Sequence, residues 1–184
     1  MTRQGFTLIE MMIVVAIISV LAVIAGTAYR KYMDSGRIAE VYSMIGEIRT
    51  KQEGYKVENP GYASANANET DFFPALVATK GAEPRPHNVT TGQPAWWTAL
   101  GIQPTKTTLY CGYTTIGGAA NVAPSGARGS QIFTSAGNPS GIPKVPWWYA
   151  IATCDNDSDG NSSHNAYFST SSQTANVYNE NEHW

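Results

Sequence analysis

The sequence predicts an α+β fold, one long N-terminal helix packed on a C-terminal antiparallel β-sheet, and three observations carry that expectation. Phe6 to Ala25 is an apolar run whose only ionisable side chain is Glu10. From Tyr29 to Tyr55 apolar residues recur at helical spacing among charges, and beyond Pro104 short β-branched and aromatic runs alternate with Gly, Pro, Ser and Asn turns. A chain of 184 residues is long enough for one core and an appendage. Its 12 Lys+Arg against 14 Asp+Glu leave a net charge of −2, so no positive field gathers nucleic acid, and nucleic acid is not an expected partner. Charged residues make up 14%, against about 25% in ordinary soluble domains. A polar but uncharged surface of this kind is common outside the cytoplasm.

A helix over Phe6–Ala25 would span about 30 Å, the thickness of a bilayer's hydrocarbon core. A cleavable secretion signal has a shorter apolar stretch of about 7–15 residues and a more basic start. Only Arg3 is basic before this run, and Ala22–Ala28 offers a poor cleavage site, so an anchor is the better reading. Arg3 on one side, and Arg30 and Lys31 on the other, pull the orientation in opposite directions. Glu10 is the informative residue, because a carboxylate at membrane depth costs about 2.5–3.5 kcal/mol on insertion scales. Two readings follow: it has a partner and a function, or it lies near enough to the start of the run to snorkel to the interface.

The helix should continue past the membrane, since Tyr29, Met33, Ile38, Val41, Tyr42, Ile45, Ile48 and Tyr55 form a stripe between Arg30, Lys31, Arg37, Glu40, Glu47, Arg49, Lys51 and Glu53. Asn59-Pro60-Gly61 stops it. Gly61 to Pro104 reads as loop, with one short helix over Pro94–Gly101 that ends in a glycine cap and places Trp96 and Trp97 as core anchors. Strands are expected at Thr107–Ile116, Gln131–Thr134, Pro146–Thr153, Asn165–Thr170 and Asn176–Tyr178, giving about four strands and one long exposed hairpin loop at Gly117–Gly129. By alternation Trp147, Tyr149 and Ile151 share one face, taken as the core face, with Trp148 and Ala150 on the other.

Arg3-Gln4-Gly5-Phe6-Thr7-Leu8-Ile9-Glu10 followed by Met11 to Ile18 resembles the class III signal of type IV pilins and of the pseudopilins of type II secretion. The Gly-Phe-Thr-Leu-Ile-Glu motif, a very short basic leader and a long apolar helix are rarely combined outside that superfamily. The resemblance implies that a membrane prepilin peptidase cuts between Gly5 and Phe6 and methylates the new Phe6 amine. It also implies a role for Glu10 in assembly, where its carboxylate meets the N-terminal ammonium of a neighbouring subunit. Burying either charge singly is costly, whereas the pair is tolerated in low dielectric and fixes register. Many pilins carry a proline shortly after the apolar run; here Gly26-Thr27-Ala28-Tyr29 has Thr27 at that place, which favours a minor subunit. Trp97 to Pro104 before a Tyr-Cys-Gly-Tyr strand, together with the C-terminal tail, is similar to type IVa pilins of gliding delta-type bacteria.

With the head in an oxidising periplasm, as the resemblance implies, the even count of two cysteines predicts a cross-strand Cys111–Cys154 disulfide in preference to free thiols. Such a closure contributes about 3–4 kcal/mol in the chain-entropy model. Asp155, Asp157, Asp159 and Asn161 around Gly160 match the first half of a calcium loop, but position twelve falls on Ala166 where the full motif needs Glu. An ordinary polar turn and a calcium site are therefore both open, and no cofactor is required. His87, His164 and His183 stand apart, and no Gly-x-Ser-x-Gly, His-Glu-x-x-His or nucleotide loop is present, so no enzyme is expected. The four Asn-x-Ser/Thr sequons, at Asn68, Asn88, Asn156 and Asn161, read as chance in so Asn-, Ser- and Thr-rich a chain.

These readings divide the chain into a leader over 1–5, a transmembrane and filament-core helix over 6–28, and a head over 29–184 that includes the amphipathic half-helix 29–58. The expected function is that of a filament subunit inserted in the inner membrane with its N-terminus cytoplasmic, then extracted into a surface pilus. Its partners would be itself or other pilins, the peptidase, and an inner-membrane platform with its assembly ATPase. The alternatives are a minor or priming pilin, a secretion pseudopilin, or a single-span membrane protein whose periplasmic head binds a ligand.

Overall fold

The computed structural model describes residues 7–65, 69–74, 85–86, 92–135, 137, 140–154 and 166–180. In chain order the elements are α1 (Leu8–Glu58), β1 (Arg85–Pro86), α2 (Ala95–Leu100), β2 (Thr108–Leu109), β3 (Gly112–Gly118), α3 (Ala127–Ser135), β4 (Trp147–Cys154), β5 (Ala166–Ser171) and β6 (Thr174–Glu180). Two compact units divide between Gly36 and Arg37. The arrangement is pilin-like α+β: an N-terminal apolar helix followed by an antiparallel four-stranded sheet.

In the first unit α1 opens at Thr7, whose carbonyl accepts the first helical bond from Met11 at 3.3 Å. Leu8–Gly26 is long and apolar enough to cross a membrane, and none of it is buried. Large aliphatic side chains point outward on every side of this helix, so it has no polar face to turn to water.

In the second unit α1 buries Val41, Met44, Ile45, Ile48 and Gln52, a stripe at three- and four-residue spacing. The expected stripe included Tyr42 and lacked Met44 and Gln52. Tyr42 is instead half exposed, touching the Phe168 ring edge-on at 6.1 Å, and Gln52 stands within the buried line. The helix ends where Asn59-Pro60 was expected to end it: Asn59 donates its amide and its side-chain Nδ2 to the Tyr55 carbonyl. The expected short helix is α2, closed by Gly101 at φ 59, where the amides of Gly101 and Ile102 return to the carbonyls of Thr98 and Trp97.

The sheet runs β3-β4-β5-β6, each neighbour antiparallel. Three strand expectations need correction. Thr107–Ile116 is not one strand: β2 pairs with β1 in a separate two-stranded ribbon, and Tyr110-Cys111 breaks away before β3. The break lets the Tyr110 amide donate to Glu40 of α1 at 2.9 Å. Gln131–Thr134 is helix, inside α3, because Gly129, Ile132 and Phe133 share one buried face at helical spacing, which outweighs the β-propensity of Ile-Phe-Thr. The Gly117–Gly129 segment is accordingly not one open hairpin loop, since it begins in β3 and ends in α3.

The choice of one core face on β4 is also corrected, for all eight of its residues are buried. Trp148, Ala150 and Ala152 join Val41, Ile45 and Ile48 of α1, whereas Trp147, Tyr149 and Ile151 join Ile116 and the Ile132 and Phe133 of α3. Because α3 covers the second face, the sheet is packed on both sides, which one-sided alternation could not reveal. Trp96 and Trp97 are buried in the α1 cluster as anchors, Trp97 edge-on to Phe73 at 4.9 Å. The Cys111–Cys154 disulfide is present and ties the start of β3 to the end of β4.

Candidate functional site

The sequence-derived assembly residue Glu10 stands in the first turn of α1, exposed among Leu8, Ile9, Met11 and Ile13. Its carboxylate is engaged locally. Thr7 donates its amide to Glu10 Oε2 at 2.8 Å and its hydroxyl to the same oxygen at 2.7 Å, while the Glu10 amide donates to Thr7 Oγ1 at 3.3 Å. This is a reciprocal capping box, Thr-x-x-Glu, which satisfies two of the amides that a helix N-terminus leaves open. Further along, the Ser19 hydroxyl donates to the Val15 carbonyl at 2.7 Å, so this polar group too is satisfied within the helix. What remains is an apolar cylinder with one carboxylate near its end, a surface made for hydrocarbon or for other such helices.

Gly5 and Phe6, the expected processing residues, lie outside the described residues, as do Asp155, Asp157, Asp159 and Asn161 of the expected calcium loop. Among the described residues no cluster of three or more His, Cys, Asp or Glu could hold a metal. The segment carrying the calcium motif connects β4 to its antiparallel neighbour β5.

In the head, three carboxylates that sequence reasoning did not single out organise the packing. Glu40, only 8% exposed, accepts from the Tyr110 amide at 2.9 Å and the Tyr113 hydroxyl at 3.3 Å. Burial, and then the charge of Glu40, push the Tyr113 hydroxyl pKa well above its ordinary value. Glu53 accepts from the Trp148 indole at 2.9 Å and the Tyr62 hydroxyl at 3.3 Å, and Lys56 donates to that hydroxyl at 3.0 Å. The Tyr62 bond holds Lys56 above its usual pKa. Glu69 reaches the N-terminus of α3, accepting the Gly129 amide at 2.7 Å and the Tyr149 hydroxyl at 3.2 Å, where a carboxylate complements the helix dipole. Gly126 beside it has φ +88, and a Cβ there would run into the Glu69 carboxyl.

The buried amide Gln52 completes the set: its Nε2 donates to the Ala63 carbonyl at 2.7 Å and to Thr115 Oγ1 at 2.8 Å, and its Oε1 accepts the Ala63 amide at 3.0 Å. Thr115 in turn donates its hydroxyl to the Tyr149 carbonyl at 3.0 Å. Each of these groups is bonded to side chains or backbone of other elements of the head. They hold the head together.

The comparisons with known proteins bear on the helix end first. Residues 1–26 match the family model described as the prokaryotic N-terminal methylation motif. The chain is 36% identical over 87 residues to the type IV major fimbrial protein FimA of Dichelobacter nodosus, covering 44% of this chain and 56% of that protein. It is 48% identical over 65 residues to the fimbrial protein EcpC of Eikenella corrodens (35% and 42%), and 36% identical over 81 residues to the fimbrial protein Q of Moraxella bovis (43% and 51%). The matches span about half the length of these relatives. No solved structure matches. Methylation motif, fimbrial relatives, apolar helix and head sheet together support a type IV pilin.

Proposed function

We propose that this chain is a structural subunit of a type IV pilus, made as a precursor in the inner membrane, N-terminus in the cytoplasm. A prepilin peptidase cuts it between Gly5 and Phe6 and methylates Phe6, and a platform and assembly ATPase move it into a helical filament at the cell surface. The observation that carries this reading is the wholly exposed apolar helix Leu8–Gly26, which falls within the matched methylation motif and ends at a single capped carboxylate. Outside a bilayer such a helix gains stability by burying its aliphatic surface against copies of itself. Glu10 then supplies the charge that an incoming ammonium reads as register.

A second reading, a minor or priming pilin, is favoured by one observation: α1 is helical without interruption through Gly26, Thr27, Ala28 and Tyr29, where many pilins carry a helix-breaking proline. A secretion pseudopilin shares the same N-terminus. Calcium bound by Asp155, Asp157, Asp159 and Asn161 belongs to the proposal as well; a rise in the melting temperature with millimolar calcium supports it, and an unchanged melting curve removes it.

Mass spectrometry of filaments sheared from the native cells tests the whole reading. The expected result is this chain as the dominant component, beginning at methylated Phe6. Trace amounts in the fibre would assign it a minor or priming role. A processed chain confined to the inner membrane would make it a pseudopilin, and an uncut Met1 or Thr2 terminus with no filament would leave a membrane-anchored binding protein.

A further inference from the structure

We propose that α3 is a lid over the second face of the head's sheet, latched by Glu69, and that it opens while the rest of the head stays folded. The inference concerns the head alone and stands whether or not the chain enters a filament. Beneath α3 lie Ile116 of β3 and Trp147, Tyr149 and Ile151 of β4, an apolar face on which Ile132 and Phe133 pack. Of the nine residues of α3 those two are the buried side chains, the third buried position being Gly129. Phe133 meets Trp147 edge-on at 5.4 Å and Tyr149 at 6.3 Å, and a Cβ at Gly129 would strike the Tyr149 ring, so the helix backbone lies directly on that ring. Among the described residues no main-chain hydrogen bond joins α3 to a strand.

The latch is a carboxylate on a fixed support. Phe73 is tied to Tyr113 of β3 by two main-chain bonds, at 2.8 and 2.9 Å. On the same segment Glu69 accepts the Gly129 amide at 2.7 Å, the Arg128 amide at 3.4 Å and the Tyr149 hydroxyl at 3.2 Å. One side chain therefore joins segment, helix and sheet, at the end of α3 where the helix dipole favours a negative charge. A second hold is the Arg128 guanidinium, 3.6 Å above the centroid of the Tyr167 ring. A helix this short is not stable alone and lasts only while it is packed. Glycines at positive φ bracket it, Gly126 at +88° and Gly137 at +92°, and both can absorb a hinge rotation. The cover of the other face is held differently, for α1 carries a buried aliphatic stripe together with Gln52 and its partners. Opening α3 alone therefore exposes less apolar surface and breaks fewer bonds than opening the sheet or lifting α1.

Amide hydrogen exchange of the full chain in detergent micelles is the test, with the amides of residues 131–135 in α3 read against those of β4. In the wild type the α3 amides should exchange at least about tenfold faster than those of β4, because they open locally. Glu69→Ala should speed α3 by about tenfold more, the factor carried by one hydrogen bond to a charged group. Glu69→Gln, which keeps an acceptor for the Gly129 amide and loses the charge, should give a smaller increase in the same amides. Gln52→Leu removes bonds that survive when only the lid is open. It should therefore speed β4, whose amides exchange when the whole head unfolds, and leave the α3 rates where they were. Equal α3 and β4 rates in the wild type, or a joint rise in Gln52→Leu, would mean that α3 opens only with the whole head, and would overturn the lid. Wild-type α3 rates in both Glu69 variants would overturn the latch.

Discussion

Two stretches of the same helix solve the problem of polar groups in opposite ways. In Leu8–Gly26 the polar side chains satisfy themselves within one turn, Glu10 with Thr7 and Ser19 with Val15, and every aliphatic side chain is left outward. Between Glu40 and Tyr55 the buried aliphatic side chains are inward, and three polar ones reach partners far away in sequence: Glu40 to Tyr110, Gln52 to Thr115, Glu53 to Trp148. Under the proposed function the first stretch passes from lipid to protein, and the bonds described for its side chains are all local. The second stretch serves a single fold and can depend on several distant neighbours. Substitutions in the first stretch should therefore alter assembly and leave the melting of the head unchanged, and substitutions in the second should do the reverse.

The largest effect is expected at Trp148, which is fully buried beneath α1 and donates its indole to Glu53. Trp148→Ala removes that volume and leaves Glu53 short of a donor, a loss of about 3–5 kcal/mol. Thermal unfolding of the detergent-solubilised full chain, followed by near-ultraviolet circular dichroism, should show a fall of roughly 10 °C at about 2–4 °C per kcal/mol for a domain of this size. Ile13→Ala, on the exposed stretch, is the control and should not move the transition. Equal shifts from both would break the comparison.

Gln52→Leu comes next. Its volume is close to that of the native side chain, but it leaves the Ala63 amide and carbonyl and the Thr115 hydroxyl without the partner they share in a fully buried site. The expected cost is about 2–3 kcal/mol, measured by urea unfolding of the same preparation. Glu10→Gln should leave the urea midpoint where it was. If Gln52→Leu were neutral, the view that the head's polar groups are mutually required would fail.

How far the sequence made this legible follows the same division. The exposed stretch was readable throughout, since its signal is local: an unbroken apolar run and a Thr-x-x-Glu at its start. The capping role of that motif is visible in the sequence too, although the reading of Glu10 turned on depth and resemblance. In the head, local signals held where they were strong, at Asn59-Pro60 and Gly101 and in the even cysteine count. They failed where a distant partner decided the outcome. Gln131–Thr134 has strand composition and is helix because the second face of the sheet needs a cover and Glu69 supplies its cap. Glu40, Glu53 and Glu69 lie 70, 95 and 60 residues from the groups they receive, so no spacing announces them.

The smallest effect expected is a change in how stability falls with pH in alkaline solution, and it tests whether the head's carboxylates act on their neighbours electrostatically. Burial and the Glu40 charge hold the Tyr113 hydroxyl protonated beyond its ordinary range, with the hydroxyl donating to Glu40 at 3.3 Å. In the unfolded chain the same tyrosine ionises near pH 10. Below that pH both states carry the proton and the contribution is fully present. Above it the unfolded state releases a proton that the folded state keeps, so stability falls as pH rises, by about 1.4 kcal/mol per pH unit for each such group. Tyr149, raised in the same direction by burial and Glu69, and Lys56, raised by Tyr62, add slopes of the same sign. Tyr113→Phe deletes one group from this sum. It should lower stability by a constant amount at neutral pH, about 0.5–1.5 kcal/mol for one hydrogen bond, yet lose less than the wild type between pH 9 and pH 11. Urea midpoints across that interval measure the two slopes. Parallel lines would mean that Tyr113 titrates alike in the folded and unfolded states, and Glu40 would then act on Tyr113 by packing alone.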